Sequence, residues 1–150
     1  VSELRDLYQE LILDHQKRPR NFKRVTPHTH ETRGLNPLCG DNLVLTLRVD
    51  DGIVADIGFE GSGCAISKAS ASMMTERVKG RSVAEAIAVF EAFHSMLTVE
   101  TPSEEVLEDL GKLGVFSGVR EFPARVKCAT LSWQTLRRAL AEGGGTVSTE

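Results

Sequence analysis

The sequence predicts an α+β fold: a small antiparallel sheet of about three strands with helices packed on one face. Three features carry that reading. An amphipathic helical stripe opens the chain, two alternating apolar runs joined by a turn follow, and everything beyond them has helical periodicity with terminal caps. Helix, strands, then helices, with no internal repeat or linker between them, is the order of a domain in which one sheet face is covered by helices.

Residues 3–18 place Leu4, Leu7, Tyr8, Leu11 and Ile12 three and four apart, one stripe of a helix that Pro19 closes. His15 falls on the same stripe, where a histidine is ordinarily packed or capping. Residues 28–35 add a third, polar strand at one edge of the sheet. Leu43, Leu45, Leu47 and Val49 then alternate with other residues, Asp51-Gly52 turns the chain, and Ile53, Ala55, Ile57 and Phe59 alternate again, giving a hairpin with one buried face. A helix over residues 65–79 stops at Gly80. Ser82 and Glu85 form a capping box for the next, whose core stripe is Val83, Ala86, Ile87, Phe90, Phe93, Met96 and Leu97. Thr101 caps a further helix, with Pro102 in its first position, Glu104 reaching back, and Leu107, Leu110 and Leu113 facing inward. After a breaker region over residues 114–123, Pro123 opens a last helix to about Glu142 that packs Val126, Leu131, Trp133, Leu136 and Leu140 and ends at Gly143-Gly144-Gly145. Residues 1–150 read as one domain, with about 143–150 as a flexible tail.

A chain of 150 residues can build a core without disulfides. Its formal net charge of −3 argues against a general nucleic-acid binder. No apolar run approaches the roughly 20 residues needed to cross a bilayer, and no signal-peptide pattern opens the chain, so it reads as cytoplasmic with no membrane role. One stretch departs from the acidic balance. Lys17, Arg18, Arg20, Lys23 and Arg24 crowd into residues 17–24, either as a patch for an acidic partner or phosphate, or as the solvated end of a helix, which cations suit.

The three cysteines are odd in number and far apart, so they are not a disulfide framework. Each falls at a junction: Cys39 in the turn before the first clear strand, Cys64 between the last strand and the next helix, Cys128 in the opening turns of the final helix. Antiparallel pairing brings the outer ends of the hairpin together, so Cys39, Asp41 and Cys64 converge. Cys64 lies at a helix N-terminus, where unpaired N–H groups favour a thiolate, and Cys128 is expected to share that advantage. Arg125 sits three residues before Cys128, on the same helical face, placed to steady a thiolate or the Asp41 carboxylate. Three thiolates and one carboxylate make a four-coordinate shell for zinc or for iron-sulfur chemistry. Spacing alone leaves three unrelated free thiols as the alternative, and His28, His30 and His94 as rival fourth ligands.

Three ordered motifs sharpen the choice. Asn36-Pro37-Leu38-Cys39-Gly40-Asp41, Gly61-Ser62-Gly63-Cys64-Ala65-Ile66-Ser67 and Phe122-Pro123-Ala124-Arg125-Val126-Lys127-Cys128-Ala129 resemble the cysteine motifs of the U-type iron-sulfur assembly proteins, the IscU and NifU N-terminal domain family, and specifically its SufU branch. His15, Pro19-Arg20-Asn21-Phe22 and Val78-Lys79-Gly80 fit the same likeness, which spans roughly residues 3–141. The resemblance implies a SufE/NifU-like α+β fold in which Cys39, Asp41, Cys64 and Cys128 meet at one exposed metal site. Scaffold members assemble a [2Fe-2S] cluster and usually carry a histidine directly before the last cysteine; Lys127 stands there in this chain. Extra residues around 112–125 precede the last motif, as in SufU proteins. Both departures imply the SufU role: a Zn2+-holding protein that takes persulfide sulfur from a pyridoxal-phosphate-dependent cysteine desulfurase of the SufS type and passes it to downstream cluster-assembly machinery. Cys39 is then the accepting thiolate, Arg125 and Lys127 are supporting cations, and the activity is sulfurtransferase-like and dependent on the partner. A scaffold binding iron or a [2Fe-2S] cluster, and a module whose zinc is purely structural, are the alternatives.

Overall fold

The computed structural model of the chain describes residues 2–99, 103–142 and 144–148. In chain order its elements are α1 (Ser2–Lys17), β1 (His30–Asn36), β2 (Asp41–Asp50), β3 (Ile53–Ser62), α2 (Ala65–Val78), α3 (Val83–Thr98), α4 (Glu104–Leu110), a 3-10 helix (Gly111–Glu121), α5 (Pro123–Glu142) and β4 (Gly144–Ser148). The α+β class holds, with four strands in place of three in the order β3-β2-β1-β4. β1 is therefore internal, not an edge. The segment expected as a flexible tail pairs in parallel with β1, from Glu31↔Gly144 to Leu35↔Ser148.

The β2–β3 hairpin turns at Asp51-Gly52, both at positive φ (50° and 76°), which the right-handed strand twist favours in a two-residue loop. Its inward residues Leu43, Leu45, Leu47, Ile57 and Phe59 are buried under α2 and α5. The opposite face is crossed by residues 21–29, where the Val25 amide donates to Thr46 Oγ1 at 2.9 Å and the Thr29 amide to the Leu47 carbonyl at 2.9 Å. Helices thus cover one face and a connector the other.

Behind the sheet, Trp133 of α5 stacks on Phe93 of α3 at 4.6 Å, and Phe93 meets Phe116 edge-on at 5.8 Å. Phe116, Leu113, Val115 and Val119 belong to the 3-10 helix, so much of the region expected to break the chain is ordered and contributes to the core. α2 is buried along most of its length, and its small Ala and Ser side chains let α1 and α5 approach closely. Burying hydroxyls costs free energy unless they are bonded, and these are. Ser70 Oγ donates to the Ala129 carbonyl at 2.6 Å and accepts from Trp133 Nε1 at 3.1 Å, while Ser72 Oγ lies 2.7 Å from His15 Nδ1 and accepts the Arg20 amide at 2.8 Å.

Leu11, Ile12 and His15 turn α1 onto the core as its stripe predicts; the side chains of Leu4, Leu7 and Tyr8 lie outside the described part. Thr101 and Pro102 also lie outside it, and the cap of α4 is Ser103, whose hydroxyl accepts from the Val106 amide at 3.2 Å. Most of the basic run is consumed within the chain. Arg18 and Arg20 pair with Asp14, Lys23 with Asp56, and Arg24 with Glu31 and Glu60. Such pairs are largely screened by solvent and add little stability individually, and they leave the segment fastened to the sheet and to α1.

Candidate metal centre

Three junctions meet at one end of the sheet. The β1–β2 connection, residues 37–40, carries Cys39, whose amide donates to the Asn36 carbonyl at 3.3 Å to close a turn. Gly40 completes the reversal at φ 72°. Asp41 then opens β2 directly opposite Asn36, and the β2–β3 ladder ends at Asn42↔Ser62, so the Asp41 side chain stands against Gly63 and Cys64. Its Oδ1 accepts the Cys64 amide at 2.8 Å. The approach is tight enough that a Cβ on Gly63 would sit 2.7 Å from that oxygen. Cys64 is itself the N-cap of α2: its sulfur accepts from the Ser67 amide at 3.4 Å and lies 4.0 Å from Asp41 Oδ2. Cys128 comes in from the second turn of α5.

Donor atoms of Cys39, Asp41 and Cys128 all lie within 4.8 Å of one another, with Cys64 at the Asp41 flank. Sulfurs held tetrahedrally at about 2.3 Å from zinc stand about 3.8 Å apart, so Cys39, Asp41 and Cys128 fit three corners of such a shell after a small contraction, while Cys64, outside that group, must move in to supply the fourth. Three soft sulfurs and one carboxylate exclude calcium or magnesium as natural occupants and suit zinc or iron. Exposure is graded across the group. Cys39 is exposed and Cys64 intermediate, whereas Asp41 and Cys128 are each 2 % exposed.

Two expectations are corrected. Cys128 does not gain from a helix N-terminus, because it is the sixth residue of α5, beyond the unpaired amides. Burial instead pushes its thiol well above the ordinary value, and hydrogen bonding with the side chains of Cys39, Asp41 and Cys64 pushes the same way. Arg125 is exposed, with its guanidinium over Phe122 at 5.0 Å from the ring centroid, and does not reach Asp41, whose oxygens take Cys64 and Asn36 instead. Lys127 is half-buried beside Cys128 in sequence. The rival histidines are elsewhere: His28 lies against the Val25 carbonyl, His30 against Thr29, and His94 stacks on Phe90.

Asn36 was not singled out by the sequence. It is 0 % exposed, and its Nδ2 donates to Asp41 Oδ2 at 3.1 Å and to Cys128 Sγ at 3.4 Å. The available signal was its place at the head of the first cysteine motif, where an Asn reads equally well as a turn residue.

Residues 7–141 match the profile of the NifU-like N terminal domain. The zinc-dependent sulfurtransferase SufU of Bacillus subtilis is 43% identical over 145 residues, covering 95% of this chain and 97% of that protein. The iron-sulfur cluster assembly scaffold protein IscU of Streptococcus pyogenes is 39% identical over 141 residues, covering 93% and 86% respectively. Among solved structures, a protein assigned as an iron-sulfur cluster assembly scaffold for the SUF system of Fervidobacterium islandicum superposes with a TM-score of 0.81 at 34% identity, covering 87% of this chain and 94% of its own.

Proposed function

The chain belongs to the NifU-like N-terminal domain family, and from that premise we propose that it is a zinc-holding sulfur acceptor in iron-sulfur cluster assembly. Its donor would be a pyridoxal-phosphate-dependent cysteine desulfurase of the SufS type, and downstream assembly machinery would receive the sulfur. The observation that carries this reading is the gradient of exposure among the four candidate ligands, with one sulfur on an outer loop and the others set deeper.

Zinc, when bound by Cys39, Asp41, Cys64 and Cys128, supplies a charge that holds the thiols deprotonated and guards them from oxidation. Cys39 is the acceptor because it is exposed on a loop that turns at Gly40, while Asp41 opens β2, Cys64 caps α2 and Cys128 is held in the second turn of α5. Its thiolate attacks the terminal sulfur of the partner's persulfide. A new S–S bond forms on Cys39 as the partner's S–S bond breaks, and the partner's cysteine leaves as a thiolate with the bonding electron pair; no external oxidant is needed. Arg125 and Lys127, on the first two turns of α5, add positive charge on the approach of an anionic persulfide.

The scaffold reading draws on the same four residues and on the likeness to IscU proteins. Lys127 and the ordered 3-10 segment before α5 weigh toward sulfur acceptance. Metal analysis joined to a desulfurase assay decides. The expected result is about one zinc ion per chain, faster desulfurase turnover with the wild-type protein, and no stimulation by a folded Cys39→Ser variant. Undiminished stimulation by Cys39→Ser would overturn sulfur acceptance. A stoichiometric visible chromophore after anaerobic reconstitution with iron and sulfide would favour the scaffold, and a stability loss in Asp41→Ala with unchanged stimulation would leave only structural zinc.

A further inference from the structure

Asn36 touches three of the four candidate ligands through one residue. Its carbonyl accepts the Cys39 amide at 3.3 Å, and the two hydrogens of its side-chain nitrogen go to Asp41 Oδ2 at 3.1 Å and to Cys128 Sγ at 3.4 Å. The orientation of the amide is fixed by chemistry. Turned over, its oxygen would face the Asp41 carboxylate, which has no proton to donate when ionised, and, once a metal is bound, a Cys128 thiolate that has none either. The same orientation leaves Asn36 Oδ1, a buried carbonyl, without a hydrogen-bond partner among the described residues. For the fold alone this is a poor choice, because an apolar side chain of similar volume would avoid an unpaired buried acceptor.

We propose that Asn36 is the positioning residue of the centre, the donor that seats Asp41 and Cys128 as anions and ties the Cys39 turn to them. The inference rests on the metal-centre reading above. Groups in this role commonly change metal affinity by about 10–100-fold when removed. A hydrogen bond to a thiolate also lowers the energy of its lone pairs, so losing it moves a sulfur-to-metal charge-transfer band to longer wavelength.

Two variants separate donation from packing because they predict opposite orders. Asn36→Leu keeps the branching and heavy-atom count of the side chain and abolishes the donor. Asn36→Ala opens a space of about one water molecule, whose liquid share is about 30 Å³, so a water can donate in place of the amide. Zinc affinity would be measured by chelator competition, and the thiolate-to-cobalt band recorded on Co2+-substituted protein. The proposal expects zinc affinity about 10–100-fold weaker in Asn36→Leu, a smaller loss in Asn36→Ala, and a cobalt band red-shifted in Asn36→Leu and less so in Asn36→Ala. Affinity in Asn36→Leu equal to or above that of Asn36→Ala would make the residue a space-filler and overturn the proposal. Should Asn36→Leu not fold, Asn36→Val takes its place as the donor-free variant, and an unshifted cobalt band in it would overturn the proposal. Wild-type protein that takes up neither zinc nor cobalt through its thiols would bring down the metal-centre reading, and this inference with it.

Discussion

Cys128 holds the least accessible sulfur of the group, and its chemistry differs from that of Cys39 although both face the same point. Burial raises its thiol, so without metal it keeps its proton throughout the neutral range. Zinc uptake must expel that proton, and the apparent affinity should rise at least about tenfold per pH unit between about pH 6 and 8; chelator competition at several pH values measures the slope. The sign reverses for stability of the metal-free protein. A thiol protonated when folded but ionised when unfolded binds more protons in the native state, so stability falls as pH rises past the ordinary value of 9.0. Chemical denaturation of metal-free protein at pH 8 and pH 10 should show that fall, and Cys128→Ala should flatten it. The meeting of Asp41 with Cys64 was legible because hairpin pairing fixes which chain ends are neighbours. The Cys128 environment and the Asn36 amide were not, since both depend on where α5 lands on the sheet.

Junctions between elements carry the centre, and β3–α2 is the tightest. Gly63→Ala places a Cβ 2.7 Å from Asp41 Oδ1 and 3.2 Å from Asp41 Cβ, so the carboxylate must move and its bond from the Cys64 amide must stretch. Zinc affinity should drop by about tenfold or more with the far-ultraviolet circular dichroism spectrum unchanged; unchanged affinity would show that the carboxylate has room the structure does not display. β1 and β4 explain why the sheet was only partly readable. The buried positions of β1 are Thr32, Gly34 and Asn36, not large apolar residues, because α5 lies so close that a Cβ at Gly34 would collide with Thr135 and Leu131. A strand under a near helix loses the apolar alternation that betrays strands. β4 is five residues with glycines at its start, and nothing in that pattern separates a strand from a tail. By contrast, α3 and the β2–β3 hairpin were plain from their caps, turn and periodicity.

Over the whole molecule, α1 is fastened to α2 by a buried histidine. Burial holds the His15 imidazole below its ordinary value of 6.5, and the Arg20 charge acts in the same direction, against the weaker opposing pull of Glu76 and Asp14. The ring is thus neutral when folded and binds a proton more readily when unfolded. Stability present above about pH 6.5 is lost as pH falls through the depressed native value. Thermal unfolding at pH 7 and pH 5 should show a larger drop for the wild type than for His15→Gln, and equal drops would assign acid sensitivity elsewhere. The same depth scale orders the cysteines from the rim inward, and it gives the metal-free chain three thiols of unequal reach. A thiol-directed fluorophore supplied in limiting amount would mark residue 39 before the other two. The fold thereby carries its own address for a single reporter dye, set on the outermost sulfur of the three.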